Sequence, residues 1–465
     1  MSQRLREFDV LVVGSGPGGE GAAMTITKHG LKVAVVEKGK VGGACAHYGT
    51  IPSKALRHLA KGVVVARREG LFDLGVQSVR WPQMLEKARK VSHEQALVHV
   101  GHYARNNVEV ISGTAKFVDS HTICVENQNG QEELLRADKI LIATGSKPYR
   151  PSHIPFDDSC IFDSDTILSM SKHPRSITIL GAGVIGCEYT SIFRAFGVKV
   201  HLMNTRKKLL SFLDDEIVDA LAYHLRDQGV LIRHDESVAE IYKENDGVVV
   251  QLESGKTMRS DVALFAMGRS GNTQNMGLQE IGVQLIENRG VIPVNKHYQT
   301  NLEHIYAVGD VTGFPNLASA AYDQGRFAAN HMIDPTSKDE LATDIPSGIY
   351  TIPEISCIGR TEEELTHHKI PYEVGHSAFR HLARSHVCGE KVGMLKILFN
   401  PETLEIYGIH CFGENASEIL HIGQAVMGTG ATLKYFVNTT FNYPTMAEAY
   451  RVAALNGLNR VQQLL

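Results

Sequence analysis

The chain has few cysteines, and no two of them are close together in the sequence. Its seven cysteines never occur as CxxC, so they predict neither a disulfide framework nor a zinc site. Its 22 histidines show no HExxH or similar ligand spacing, so we predict no metal ion. The cysteines are Cys45, Cys124, Cys160, Cys187, Cys357, Cys388 and Cys411.

Long apolar runs and a strong net charge are missing as well. No run of about 18 apolar residues occurs, so a membrane-spanning helix is not expected. The apolar run 10–13 is too short for the core of a signal peptide and leads straight into glycines. A formal net charge of −4 gives no field that attracts nucleic acid or an anionic membrane. We therefore expect a cytoplasmic protein with neither nucleic acid nor membrane as a partner.

The chain is long and rich in glycine. Its 465 residues exceed the usual size of one hydrophobic core, so several domains are expected. Its 43 glycines and a hydrophobic content of 43% are typical of an α/β enzyme.

The first motif is a glycine turn between a strand and a helix. An apolar strand, 9–13, is followed by Gly14, Gly16 and Gly19, and then by a helical stretch of small residues. Such a turn lets a pyrophosphate approach the backbone at a helix N-terminus. A second strand ends at Glu37, close to the spacing at which an acid binds an adenosine ribose. All four parts together favour a dinucleotide site over a turn without a ligand.

The same pattern is repeated later in the chain. Strand 176–180 leads into Gly181, Gly183 and Gly186, then a helix and another strand. Two such units predict two dinucleotides bound by one chain. Asn204 and Arg206 follow the second strand, where an acid would select NAD and an arginine would favour the 2′-phosphate of NADP. Asn204 repels neither nucleotide.

The stretch from Gly42 to Lys54 reads GGACAHYGTIPSK. It resembles the redox-active segment of the pyridine nucleotide-disulfide oxidoreductases, GGxCxxxGCxPSK, and the resemblance extends over nearly the whole chain. Cys45 is present, but Thr50 stands where the family has its second cysteine. A threonine hydroxyl cannot form a disulfide, so the thiol half of the family's chemistry is not expected.

The C-terminal segment FNYPTMAEAY departs from the family in a second position. Tyr443 replaces the histidine that relays protons to the thiols, while Glu448 remains. Tyrosine titrates near pH 10 in the absence of perturbation and cannot replace histidine as a relay near neutral pH.

The resemblance implies an α/β fold with two Rossmann-like dinucleotide-binding domains and a C-terminal α+β interface domain. It implies an FAD-binding domain in two parts, 1–150 and 276–345, an NAD(P)-binding domain, 151–275, and a dimerisation domain, 346–465. The implied partners are FAD, NAD, NADP and a second copy of the chain, in a homodimer or a larger assembly. The implied cofactor-binding residues are Gly14, Gly16, Gly19, Glu37, Gly43, Cys45, Lys54, Ala115, Thr144, Gly145, Gly181, Gly183, Gly186, Asn204, Arg206, Gly268, Arg269, Gly309, Asp310 and Ala318.

The resemblance also assigns Lys54, Glu188 and Cys45 as catalytic residues, and alternatives are open for Lys54, Cys45 and the cofactor-binding residue Asp310. Lys54 is expected near the flavin N5 and paired with Glu188, rather than being an ordinary surface lysine. Asp310 is expected beside the ribitol of FAD; the alternative is that it caps a helix that begins near Ser319. Cys45 either tunes the flavin as a thiolate or packs as a small apolar residue.

The implied activity is reversible hydride exchange between NADPH and NAD⁺ through FAD, in a ping-pong sequence at one nicotinamide site, without disulfide reduction. Two other functions stay open. One is a single-cysteine NAD(P)H oxidase, peroxidase or diaphorase, in which Cys45 cycles through sulfenic acid. The other is a flavoprotein that binds nucleotides without catalysis. We also expect residues 55 to about 110 to be largely helical.

Overall fold

The structure is a computed structural model that describes residues 5–70, 80–338 and 340–464. Its strands are β1 (Leu5–Val13), β2 (Val33–Glu37), β3 (Glu109–Ser112), β4 (Thr114–Phe117), β5 (Thr122–Glu126), β6 (Glu132–Ile142), β7 (Ser146–Pro148), β8 (Ile161–Asp163), β9 (Ser176–Leu180), β10 (Lys199–Met203), β11 (Leu231–Arg233), β12 (Val238–Glu244), β13 (Gly247–Leu252), β14 (Thr257–Ser260), β15 (Val262–Phe265), β16 (Arg269–Gly271), β17 (Ile305–Ala307), β18 (Ser347–Ile349), β19 (Glu354–Gly359), β20 (Glu373–Ala378), β21 (Gly393–Phe399) and β22 (Ile406–Gly413).

The α-helices are α1 (Pro17–Lys28), α2 (Gly43–His47), α3 (Thr50–Arg68), α4 (Trp81–Arg105), α5 (Val184–Ala195), α6 (Asp215–Asp227), α7 (Ala318–Ile333), α8 (Glu362–His367), α9 (Ala383–Cys388), α10 (Ala416–Gly428), α11 (Lys434–Asn438) and α12 (Glu448–Leu464). The helical prediction for 55–110 is confirmed as far as Arg105, with 71–79 outside the described residues; β3 begins at Glu109.

The first sheet has the order β3-β2-β1-β6-β5-β4, and β17 pairs with the C-terminal end of β6. Strands β3, β2, β1, β6 and β17 are parallel, so their carboxyl ends lie at one edge. Helices cover both faces of such a sheet, which explains why β1 carries consecutive buried residues from Val10 to Val13. Ligands of open parallel sheets bind at this edge.

The second sheet is parallel throughout, in the order β11-β10-β9-β15-β8. An antiparallel sheet of β12, β13 and β14 lies in the same part of the chain. Short strands β7 and β16 pair with each other and join the two dinucleotide units. The C-terminal region forms an antiparallel sheet, β18-β19-β22-β21-β20, against which α10 and α12 pack. The predicted fold class, two Rossmann-like units followed by an α+β region, is confirmed.

Candidate active site

The first glycine turn lies between β1 and α1, at the carboxyl edge of the first sheet. Gly14 has φ +109°, and a Cβ there would lie 2.3 Å from the carbonyl oxygen of Ala143. A Cβ at Gly19 would lie 1.9 Å from the Gly14 carbonyl oxygen. A Cβ at Gly16, in contrast, would meet no atom of the described residues within 4 Å. Gly14 and Gly19 are therefore required by packing, whereas Gly16 borders open space at the start of α1, where backbone N–H groups attract phosphate.

Glu37 ends β2 beside this turn. Its carboxylate accepts hydrogen bonds from the Ser15 backbone N–H at 2.9 Å and the Ser15 hydroxyl at 2.6 Å, and from the Gly39 N–H at 2.7 Å. These donors hold the acid at the strand end, as its spacing from Gly14 predicts. Ala115 is buried in β4, two residues after Gly113, whose N–H donates to the Glu37 carbonyl. The chain that leads into β4 therefore passes the end of β2.

The turn after β6 supplies another polar group to the same edge. The Thr144 hydroxyl is buried and has no hydrogen-bond partner among the described residues. Gly145 follows with φ +65° and leaves open space where a Cβ would stand. A buried hydroxyl without a partner is costly, so a polar ligand at Thr144 would remove a penalty.

Asp310 lies in a 3-10 turn (Gly309–Thr312) that follows β17. Its carboxylate accepts a hydrogen bond from the Ser146 hydroxyl at 2.6 Å, and the Gly309 N–H donates to Gln324 at 2.8 Å. The capping alternative is wrong, because α7 begins at Ala318 with Leu317 as its N-cap.

The start of α1 crosses closely over the second and third turns of α7. A Cβ at Gly325 would lie 2.0 Å from the Gly18 carbonyl oxygen, and one at Gly21 would lie 2.2 Å from the Tyr322 carbonyl oxygen. Both helices begin without a side-chain cap. The close crossing fixes the start of α1, with its free backbone N–H groups, against α7.

Arg269 and Gly268 lie where the two units meet. Gly268 has φ +102° and immediately precedes β16. Arg269 donates to the Ser146 hydroxyl at 2.7 Å and to the Ser146 carbonyl at 2.8 Å, and it lies 3.3 Å from Asp165. The structure therefore shows its guanidinium bound to protein groups of both units, with Asp310 one hydrogen bond further along.

The second glycine turn reproduces the first. Gly181 has φ +105°, and a Cβ there would lie 2.6 Å from the Ala266 carbonyl oxygen. A Cβ at Gly186 would lie 1.8 Å from the Gly181 carbonyl oxygen, and one at Gly183 would meet nothing within 4 Å in the described chain. The repeat predicted from sequence is thus a repeat of backbone geometry.

Asn204, at the end of β10, differs in its contacts from Glu37. Its side-chain Nδ2 donates to the carbonyl oxygens of Arg206 at 2.8 Å and Lys208 at 2.7 Å. The side-chain amide nitrogen is therefore used by the backbone of the following loop. Arg206 is exposed and donates to the Ser211 hydroxyl. Asn204 therefore orders a loop that carries cationic side chains.

Cys45 lies in α2, and Gly43, at the start of that helix, is close to the first glycine turn. A Cβ at Gly43 would lie 3.1 Å from the Gly16 Cα. The Thr50 hydroxyl, Lys54 and Asp310 are near enough to the Cys45 sulfur to act on its pKa. Burial raises the pKa of the Cys45 thiol, and the opposing effects of Thr50 and Lys54 are smaller. The pKa of this thiol is therefore not lowered as in an activated nucleophile.

Lys54 and Glu188 form the predicted ion pair, which is confirmed. The Lys54 Nζ lies 2.9 Å and 3.0 Å from the two Glu188 carboxylate oxygens. The Glu188 side chain is 5% exposed and also accepts the Tyr350 backbone N–H at 2.9 Å. Lys54 Nζ lies 4.9 Å from the centroid of the Tyr350 ring. The surface alternative for Lys54 is wrong, because its ammonium group is held between α5 and the segment before β19.

Sequence reasoning missed several residues of this region. Tyr350 is 162 positions from Glu188 and belongs to no motif, so nothing in the sequence indicated their contact. Ser15 and Ser146 lie inside motifs that were recognised by their glycines, and their roles as donors to Glu37 and Asp310 became visible only in the structure.

Comparisons with known proteins agree with this geometry. Residues 8–325 match the family model of the pyridine nucleotide-disulphide oxidoreductases, and residues 345–454 match the dimerisation domain of that family. The chain belongs to this family. It is similar to the soluble pyridine nucleotide transhydrogenases of Vibrio vulnificus strain YJ016, with 56% identity, and of Yersinia enterocolitica, with 55% identity; each alignment covers 98% of both chains.

Solved structures show the same architecture. The HOCl-induced flavoprotein disulfide reductase RclA from Escherichia coli has a TM-score of 0.86 at 26% identity, covering 96% of this chain and 99% of its own. LpdA from Mycobacterium tuberculosis has a TM-score of 0.89 at 23% identity, covering 98% and 99%, and supports the fold alone. The chain is an FAD-dependent oxidoreductase that uses NAD(P).

The residues of the first unit fit FAD. The open space at Gly16, the uncapped start of α1, the buried Thr144 hydroxyl and the Glu37 carboxylate lie along one sheet edge. Glu37 suits a ribose, and the helix start suits a pyrophosphate. Among residues 5–70, 80–338 and 340–464, no helix combines the length and hydrophobicity needed to cross a membrane.

Proposed function

We propose that the enzyme catalyses reversible hydride exchange between NADPH and NAD⁺ and does not reduce disulfides. The observation that carries this proposal is the replacement of the second cysteine: Thr50, the first residue of α3, stands near Cys45 at the position of the disulfide partner. Two complete dinucleotide units remain beside it. The name of the relatives, soluble pyridine nucleotide transhydrogenase, supports the same reaction.

FAD bound in the first unit supplies a group that accepts hydride from one nicotinamide and returns it to another. The chain's own residues bind and orient. Gly183 and the start of α5 receive the pyrophosphate of each nucleotide in turn, which makes the sequence ping-pong. Lys54, held by Glu188, presents a fixed positive charge where the two units meet. Because both nucleotides carry the same reacting ring, the concentration ratios set the direction at about 1.4 kcal/mol per tenfold.

The C-terminal region supports a homodimer. Tyr443, Val452 and Leu455 lie in its last segment and are 75%, 41% and 43% exposed, respectively. One carboxylate oxygen of Glu448 is buried and has no hydrogen-bond partner within the described chain. We infer that a second copy covers this apolar surface, as the dimerisation domain of the family implies, and that the enzyme works in the cytoplasm.

The experiment that tests the activity is anaerobic mixing. NADPH is added to the purified flavoprotein, then NAD⁺, while the flavin absorbance is followed. The proposal expects loss of the oxidised flavin band with NADPH and its return with NAD⁺, and negligible steady turnover with glutathione disulfide or lipoamide. Rapid oxygen or peroxide consumption would favour the oxidase or peroxidase, and a band that NADPH does not change would favour a non-catalytic protein.

A further inference from the structure

Glu20 and two histidines of α4 form a cluster behind the first glycine turn. Glu20 lies in the first turn of α1, and His99 and His102, three residues apart, project from one face of α4. His99 Nδ1 lies 2.5 Å from one Glu20 oxygen, and His102 Nδ1 lies 2.5 Å from the other. All three potential ligand atoms lie within 4.8 Å of one another.

This cluster is open on one side and buried on the other. The Glu20 side chain is 5% exposed, whereas His99 and His102 are 20% and 39% exposed. A cavity of about 450 Å³, also bordered by Lys28 and Tyr322, gives solvent access to the three side chains. Glu20 is therefore a buried carboxylate in contact with two imidazoles.

We propose that Glu20, His99 and His102 bind a divalent transition-metal ion, Zn²⁺ above all. Two imidazole nitrogens and one carboxylate oxygen form a ligand set that zinc uses with water in the fourth position. Imidazole selects zinc, copper and nickel over magnesium and calcium. The cavity supplies room for the water and a route for the ion. Ligand distances of about 2.0–2.2 Å require the nitrogen and oxygen atoms to move apart slightly, which the partly exposed histidine rings allow.

A second cluster shows why the donor set matters. Asp214, Glu216 and Glu362 also bring three carboxylate oxygens within 4.8 Å of one another. The buried Lys396 already lies among them, 2.7 Å from Asp214 and 3.1 Å from Glu216. That cluster is an ion-pair network in which the Lys396 ammonium group already contacts all three carboxylates. In the described chain no lysine or arginine forms an ion pair with Glu20, although Lys28 borders the cavity.

The site would act on the cofactor end of α1 without taking part in hydride transfer. Glu20 lies four residues after Gly16, so its negative charge stands close to the start of the helix that faces a pyrophosphate. A bound dication would offset that charge and would tie α1 to α4. The sequence analysis predicts no metal ion because it considers ligands that are close together in the chain. Glu20 and His99 are 79 positions apart, so that pattern does not include them.

The test uses the full-length flavoprotein, freed of metal with a chelator and then titrated with Zn²⁺ by calorimetry. We expect one Zn²⁺ per chain, and an affinity at least about 100-fold weaker in His99→Asn and in His102→Asn. His93→Asn is the matched control, because His93 is an exposed histidine of the same helix. Flavin absorbance and bound FAD, measured for each variant, establish that it is folded.

Thermal unfolding provides a second reading that does not depend on activity. Saturating Zn²⁺ should raise the Tm of the wild type and of His93→Asn, because an ion that binds the native state and not the unfolded state stabilises the native state. The Tm of the two site variants should stay unchanged. Glu20→Gln, which keeps the shape of the side chain, should behave like the histidine variants. Failure of the wild type to bind one Zn²⁺ would overturn the proposal, as would equal binding by the site variants and the control.

Discussion

The two dinucleotide units have the same backbone geometry in their glycine turns, and they differ in the residue that ends their second strand. Gly14 and Gly181 have φ +109° and +105°, and a Cβ at Gly19 or Gly186 would lie 1.9 Å or 1.8 Å from a carbonyl oxygen of the same turn. This close packing of a glycine against a backbone carbonyl fixes where the helix starts relative to the strand. The turn alone therefore says that a pyrophosphate binds, but it does not say which nucleotide carries it.

The strand ends supply that distinction. Glu37 accepts three hydrogen bonds from Ser15 and Gly39 and is thereby fixed as an acceptor. Asn204 uses its amide to hold the carbonyls of Arg206 and Lys208, so the loop after β10 is ordered while its cations stay at the surface. A partly buried acid that is held in place by three donors suits a cofactor that stays bound. An exposed cationic loop suits a substrate that exchanges.

The largest expected effect comes from filling the open space in each turn. Gly16→Val should yield protein without FAD, whereas Gly183→Val should retain FAD but lose its reduction by NADPH by about 100-fold or more. At both positions an added Cβ would meet no described atom within 4 Å, so the side chain begins in open space that we expect the ligand to occupy. The measurements are the FAD content of the purified protein and anaerobic stopped-flow reduction. Loss of FAD from Gly183→Val would show that the two units are not assigned correctly.

The next effect comes from the ion pair that joins the two units. Lys54→Met leaves the buried Glu188 carboxylate with the Tyr350 N–H as its one remaining partner among the described residues, and should cost about 1.5–3 kcal/mol of unfolding free energy, together with slower flavin reduction. Urea unfolding measures the first quantity, and stopped-flow absorbance the second.

A double variant is the control for this ion pair. Lys54→Met combined with Glu188→Gln should lose less stability than the sum of the single changes, since the second removes the uncompensated charge. Strict additivity would mean that the ion pair contributes nothing to joining the units.

A smaller effect should separate NADP from NAD. Arg206→Ala should weaken NADP(H) relative to NAD(H) by tenfold or more, because one charge-assisted contact to a phosphate contributes about 1.5–3 kcal/mol. Lys207→Ala removes the same charge from the adjacent exposed position and serves as the matched control. The measurement is the dissociation constant of NADP(H) and of NAD(H) for each variant. Equal losses for NADP(H) and NAD(H) would show that Arg206 is not the phosphate partner.

The parts of this site that depend on local geometry could be predicted from the sequence. Glycine turns, strand ends and the acid at Glu37 are set by spacing along a few residues, so they were predictable. The pairing of Lys54 with Glu188 was predictable only through resemblance, since 134 positions separate the two residues. Tyr350, His99 and His102 were not predictable, because their positions depend on how separate helices and strands pack and because no local pattern marks them.

The smallest expected effect is at Cys45, and it distinguishes hydride exchange from thiol chemistry. Neither hydride step involves sulfur, and burial raises the pKa of this thiol, so little of it is thiolate at neutral pH. Cys45→Ser should therefore retain exchange within about tenfold, roughly 1.4 kcal/mol of barrier. A peroxidase behaves differently, because sulfenic acid is then an obligatory intermediate and the same change abolishes peroxide reduction. Both activities are measured on one preparation of the variant, with the FAD content as the control for folding. A thousandfold loss of exchange with FAD still bound would place the sulfur in the hydride path and contradict the proposed mechanism.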